Sequence, residues 1–176
     1  IELDPVFSDA HAYLALVGSQ ELVQFITKDP KKTLDEMLAN GRKAESLNPE
    51  NALALWSISI SCFFRGDHAN ACVHAERAIQ FNPSFASNYM ALGLGQVHSG
   101  DYQKAVDYSV KSLELRNWES ASYLDTLGHC YFAAKDFENA VKYQQQAVDK
   151  DPGSLGMRRQ LKVFQEALNN QRANQG

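Results

Sequence analysis

Residues 121–154 read ASYLDTLGHCYFAAKDFENAVKYQQQAVDKDPGS, and their reading decides the fold. Small side chains at Gly128, Ala140 and Ala147 let two helices approach closely, while Leu127, Tyr131 and Phe137 fill the space around them. Between the helices, Lys135 stands where a left-handed residue is required, at a cost of about 1 kcal/mol. Asp136 then caps the second helix, and Pro152 marks its end.

The same frame recurs upstream. Ala52–Phe85, Ala86–Glu119 and Ala121–Ser154 are each 34 residues long, with Ser120 inserted before the third. Leu92-Gly93 falls on Leu127-Gly128, Asp101-Tyr102 on Asp136-Phe137, Ala105 on Ala140 and Ser112 on Ala147. The first copy is looser: Ile58-Ser59 stands at the Leu-Gly place, Gly66-Asp67 matches Gly100-Asp101, and Ala71 and Ala78 keep the small positions. Pro83 and Pro152 share one slot, which Asn117 fills in the middle copy. Gly66 and Gly100 take the turn, where glycine adopts a left-handed conformation without strain.

This pattern resembles the tetratricopeptide repeat, a helix–turn–helix unit of about 34 residues. Leu124, Leu127, Gly128, Tyr131, Ala140, Ala147 and Pro152 all fall in family slots. The resemblance implies an all-α, right-handed superhelical solenoid of antiparallel helix pairs, forming one domain over residues 1–176.

The flanks extend the array. Residues 1–7 look like the tail of a preceding repeat, with Pro5 in the proline slot, so the chain is expected to be a piece of something longer. Residues 8–51 form an expanded repeat: the interval from Pro5 to Pro49 is 44 residues, and the extra length is placed around 19–28. Asp29-Pro30 supplies a cap and a first-turn proline for a second helix. After Pro152, Met157, Leu161, Phe164 and Leu168 make one apolar stripe. Residues 155–172 therefore read as a capping helix, with Arg158, Arg159 and Lys162 on its solvated face. The expected helices are 8–27, 30–47, 51–64, 67–81, 85–98, 101–115, 119–133, 136–149 and 154–170.

Composition excludes several classes. The chain is 44% hydrophobic and 22% charged, which disfavours disorder. Seventeen basic against twenty-one acidic residues disfavour a nucleic-acid surface. No apolar run is long enough to cross a membrane, and no leader segment is visible. Cys62, Cys72 and Cys130 read as small apolar residues of a reducing compartment, and a cytoplasmic location is expected. No nucleophile elbow, HExxH, P-loop or GxGxxG is present, so no enzyme activity, metal or cofactor is implied. His68, Cys72 and His74 are scattered side chains, because His74 points away from the other two.

What remains is a surface. The resemblance implies that the first helices of successive repeats line a concave groove at repeat positions 2, 5, 9, 12 and 13. Those positions hold Leu53, Trp56, Ile60, Phe63 and Phe64, then Ser87, Met90, Leu94, Val97 and His98, then Ser122, Asp125, His129, Phe132 and Ala133. The family's carboxylate clamp for chaperone tails needs cations. Its slots here hold Ala12, Leu16, Ser57, Ser87 and Ala91, or one repeat on, Trp56, Ile60, Ala91, Ser122 and Thr126.

The expected partner-binding residues are Leu53, Trp56, Ile60, Phe63, Met90, Leu94, His98, Asp125 and His129. Two explanations of the apolar end stay open: internal packing, or docking of an apolar or amphipathic segment of a partner protein. His98 and His129 are either ordinary surface histidines or a pH-dependent contact.

The function implied is a non-enzymatic protein–protein interaction scaffold; the oligomeric state is left open, with a monomer favoured. Two alternatives are a regulatory domain of a bacterial transcription regulator or nucleotide cyclase, and an engineered or chimeric repeat assembly.

Overall fold

The computed structural model describes residues 7–23 and 27–174. Among these residues the regular structure is entirely helical: α1 Ser8–Val23, α2 Pro30–Leu47, α3 Ala52–Phe64, α4 His68–Phe81, α5 Ala86–Ser99, α6 Tyr102–Glu114, α7 Ala121–Ala133, α8 Phe137–Lys150 and α9 Leu155–Ala173. The expected boundaries differ by at most three residues, except at the end of α1, where the expected helix runs through residue 27. Thr27 is not helical. Its hydroxyl instead shares a hydrogen bond with Thr33 at 2.7 Å and accepts from the Asp29 N–H, which ties it to the start of α2. Most of the stretch expected to hold the extra length of the expanded repeat, and residues 1–6 with Pro5, lie outside the described residues or side chains.

The chain forms two compact units, Ile1–Ala91 and Leu92–Gly176. In the first, α1 packs on α2 and α3, and α3 on α2 and α4. Every residue of α3 from Ala54 to Cys62 is buried. A helix apolar all round belongs inside, which is why ALALWSISISCFF lacks an amphipathic stripe. Its serines answer to backbone carbonyls: Ser57 donates to Leu53, Ser61 to Ser57 and Ser59 to Ala71. Asn51 joins two helix starts, because its Oδ1 caps Leu53 and Ala54 N–H while its Nδ2 donates to Ser8 and Asp9.

In the second unit α7 packs on α6 and α8, and α9 on α8. The core holds Ala105, Val106, Leu113, Leu124, Leu127, Cys130 and Ala147, with Phe164 of α9 fully buried. Burial pushes the Cys130 thiol up to about 11, against the lowering effect of a hydrogen bond shared with Ser109. All three cysteines are free thiols.

One contact recurs within the helix pairs. A Cβ on Gly128 would lie 2.9 Å from Gln144 Oε1 and 3.3 Å from the Ala140 carbonyl, and one on Gly93 would lie 3.2 Å from the Ala105 carbonyl. The matching residue in the first copy is Ser59, whose hydroxyl donates to the matching Ala71 carbonyl at 2.7 Å. Glycine lets the helices touch there, and serine replaces that contact with a hydrogen bond.

The turns follow the expected chemistry. Gly66, Gly100 and Lys135 have φ of 80°, 79° and 62°. Asp67, Asp101 and Asp136 follow them and accept from the N–H groups of Asn70, Lys104 and Asn139. The joint that lacks proline is built otherwise: Asn117 and Trp118 are both left-handed, with φ of 50° and 59°, and the Trp118 N–H closes α6 on the Leu113 carbonyl. The Trp118 ring stacks on Tyr143 at 6.2 Å, and Tyr143 lies parallel to Tyr131 at 5.4 Å.

Two outcomes follow. Lys135→Gly removes the side-chain penalty of a left-handed residue and raises stability by about 1 kcal/mol, read from the urea midpoint. The second concerns acid. Hydrogen bonds from the Asn70 side chain and backbone hold the Asp67 carboxyl below its ordinary value, and those from Lys104 do the same for Asp101. Their contribution is therefore complete above the unfolded value of about 3.9 and drains away as pH falls through the folded values. Urea titrations between about pH 5 and 2 show a stability profile that flattens in the Asp67→Asn, Asp101→Asn double variant.

Candidate partner-binding groove

In the first unit, α1 and α3 lie side by side, so alternate turns of both helices share one face. Tyr13 and Leu16 of α1, Leu53 of α3, and Asn82 and Phe85 from the segment joining α4 to α5 line a recess of about 280 Å³. The joining segment is shaped locally: the Asn82 Oδ1 accepts from the Ser84 hydroxyl at 2.9 Å and from the Ser84 N–H. Behind the wall, Phe85 meets the Trp56 indole edge-on at 5.9 Å. Among the described residues, the buried Trp56 Nε1–H has no hydrogen-bond partner.

The expected groove residues divide by burial. Leu53 lines the recess and is half-buried, whereas Trp56 and Ile60 are only 6% and 7% exposed and pack inward. Phe63 is half-buried between Phe64, at 5.7 Å, and His68, at 5.1 Å, while Phe64 itself is exposed. Met90 is half-buried on α5.

In the second unit, Leu94 is half-buried and His98 exposed near the end of α5. Asp125 accepts from the Gln144 Nε2 at 2.6 Å, so one of its oxygens serves the α7–α8 contact. His129 is exposed, with its Nδ1 3.4 Å from Gln160 Nε2 and its ring 6.1 Å from Phe164. Phe132 stacks on the same Phe164 at 4.4 Å. The last helix thus packs against positions that the repeat pattern assigns to a groove.

Residue patterning misses Tyr13, Asn82 and Phe85. Leu16 is within its reach, because it occupies position 9 of the expanded repeat. Phe85 closes its repeat, where the pattern names no groove position, and only the path of the joining segment brings it over α3.

The chemistry available here is apolar contact with a polar edge. Among the described residues, no group of three or more His, Cys, Asp or Glu side chains converges. Burial lowers the His74 pKa and raises those of Cys62 and Cys72.

Residues 121–154 match the family model described as "Tetratricopeptide repeat". That segment is a tetratricopeptide repeat. The surrounding helices share the fold of solved tetratricopeptide-repeat (TPR) proteins. A thermophilic TPR protein of Thermus thermophilus superposes with a TM-score of 0.67 at 17% identity, over 88% of this chain and 79% of that one. The MamA protein gives 0.65 at 16% identity, over 93% and 85%. The anaphase-promoting complex (APC/C) hetero-tetramer Cut9–Hcn1 gives 0.72 at 16%, over 88% of this chain and 29% of that one. At such identities the likeness is one of fold. No curated protein sequence matches the chain.

The tetratricopeptide-repeat frame puts Trp56 at a nominal groove position, yet its ring is part of the packing. Trp56→Ala therefore costs about 3–5 kcal/mol of stability, measured by urea unfolding, because a cavity opens beside Phe85.

Proposed function

We propose that this chain is a non-enzymatic protein-interaction scaffold that holds a side chain of a partner protein in the recess walled by Tyr13, Leu16, Leu53 and Phe85. The observation that supports this reading is the recess itself, about 280 Å³ of space with aliphatic and aromatic walls and one amide, Asn82, at its edge. An aromatic or large aliphatic side chain suits those walls, and the Asn82 amide and Tyr13 hydroxyl suit the polar groups of the chain that carries it.

Magnitudes set the size of the partner. Burying one aromatic side chain removes about 150–250 Å² from water, a gain of about 4–6 kcal/mol before ordering costs. Micromolar affinity needs about 8 kcal/mol, so flanking residues must contribute as well. The ligand is then a segment of several residues built around one apolar anchor. No described helix is long and apolar enough to cross a membrane.

Selection from a displayed library of short random peptides tests the reading. Enriched sequences carry an aromatic or large aliphatic anchor. Tyr13→Asp, at a recess residue that is 59% exposed, lowers their affinity about tenfold or more, as a charge in an apolar recess should, while the urea midpoint stays near wild type. Enrichment without such an anchor, or equal binding by Tyr13→Asp, overturns it.

A further inference from the structure

The first helix keeps in water two side chains whose counterparts in later repeats are buried. Leu14 stands at the repeat position of Ile58 and Leu127, and Val17 at that of Ser61 and Cys130. Ile58 is 1% exposed, and Leu127, Ser61 and Cys130 are fully buried, whereas Leu14 and Val17 are 44% and 52% exposed. Beside them lies a notch of about 180 Å³, which Gly18 of α1 and Thr33 and Met37 of α2 help to line.

In the next repeat the matching space is filled. Ile58, Cys62 and Ala71 form one apolar cluster, and Leu38 of α2 packs on it. Leu14 and Gly18 hold the positions of Ile58 and Cys62, and Thr33 holds that of Ala71, each four residues past its capping aspartate. Three residues that line the notch are thus the counterparts of the three that receive Leu38. Gly41 follows one turn after Leu38, so close to α3 that a Cβ on it lies 3.0 Å from Ile58 Cγ1 and 3.4 Å from the Ala54 carbonyl. Helix α1 offers the same opposing pair, Ala10 for Ala54 and Leu14 for Ile58. The α6–α7 contact repeats the scheme: Val110, at the place of Leu38, packs on the core that contains Leu127. At the rim of the notch Glu36 pairs with Lys32 at 3.7 Å and Asn40 bonds to His11 at 3.0 Å. With these polar groups already engaged, shape and apolar contact select what enters, and charge does not.

We propose that the notch between α1 and α2 seats an amphipathic helix of a partner protein, laid on α1 as α2 lies on α3. A leucine-sized side chain of that helix fills the notch, and a small residue one turn later meets Ala10 and Leu14. The interface that this face continues argues for a helix over an extended segment, because α2 on α3 and α6 on α7 cover the same positions with helices. Residues three apart stand side by side on a helix, so one short segment supplies both contacts. The seat is distinct from the recess: Tyr13 lines the recess and its neighbour Leu14 lines the notch, as the turn between successive helical residues requires.

The probe is a labelled, end-capped peptide of residues 30–47, the segment whose Leu38 and Gly41 make the matching contacts. A lactam joining its Lys32 and Glu36 side chains holds the free peptide helical, because a helix of this length is marginal alone. Fluorescence anisotropy with the full chain, up to about 1 mM, shows saturable binding. Leu38→Asp in the peptide abolishes it, and Leu14→Asp in the protein weakens it about tenfold or more. Leu14 is exposed, and circular dichroism with the urea midpoint verifies that the variant stays folded. Tyr13→Asp leaves this binding unchanged. Absence of saturation overturns the proposal. So does binding that Leu14→Asp leaves intact, since the peptide then lies elsewhere or has displaced α2 itself. Binding lost in Tyr13→Asp places the peptide in the recess, which overturns this seat and leaves the recess reading standing. Sedimentation velocity of the wild type completes the test: self-association that Leu14→Asp abolishes gives the face to a second copy and overturns the partner helix.

Discussion

The close approach of two helices at one small residue is the contact on which the repeat rests. At Gly128 and Gly93 the opposing surface is a backbone carbonyl, Ala140 or Ala105, near enough that a methyl group would press against it. Ser59 faces the matching Ala71 carbonyl and bonds to it. The carbonyl is the constant, and the residue opposite it varies between no side chain and a hydroxyl donor. With the helix pair held this closely, larger residues nearby on the same helix, such as Leu127 and Tyr131, are the ones that fill the remaining space.

A second constraint is local. The reversal between helices needs a left-handed residue, supplied by glycine twice and by Lys135 once, and the aspartate after it ends the exposure of the next helix's first N–H groups. The 116–120 joint shows what happens when the Asn-Pro or Asp-Pro exit of the other repeats, as at Asn82-Pro83 and Asp151-Pro152, is missing. Two successive left-handed residues, Asn117 and Trp118, absorb the inserted length, and the indole is carried onto Tyr143. Strain in the backbone is thus offset by an aromatic contact on a neighbouring helix.

The candidate groove was legible only in part. Repeat register names Leu53, and Leu53 lines the recess. The same register names Trp56 and Ile60 too, although both are buried. Register gives the direction of a side chain from its own helix axis. Exposure depends on what comes from elsewhere to cover it, and for Trp56 that is Phe85, from the far end of the same repeat. Asp125 and His129 show the same limit, since Gln144 and the α9 residues Gln160 and Phe164 reach them from other helices.

The amino-acid sequence by itself determined the helices, their caps, the left-handed turns and the repeat frame, because each is set by residues a few positions apart. Capping aspartates, turn glycines and small residues at fixed intervals act through local hydrogen bonds and sterics. Tertiary structure alone decided which apolar side chains meet water: Trp56 inward, Tyr13 and Leu53 on a recess, Leu14 with Val17 and Leu155 with Val163 on open faces. The physical reason is that burial is a sum over neighbours distant in the chain, and no local pattern contains that sum.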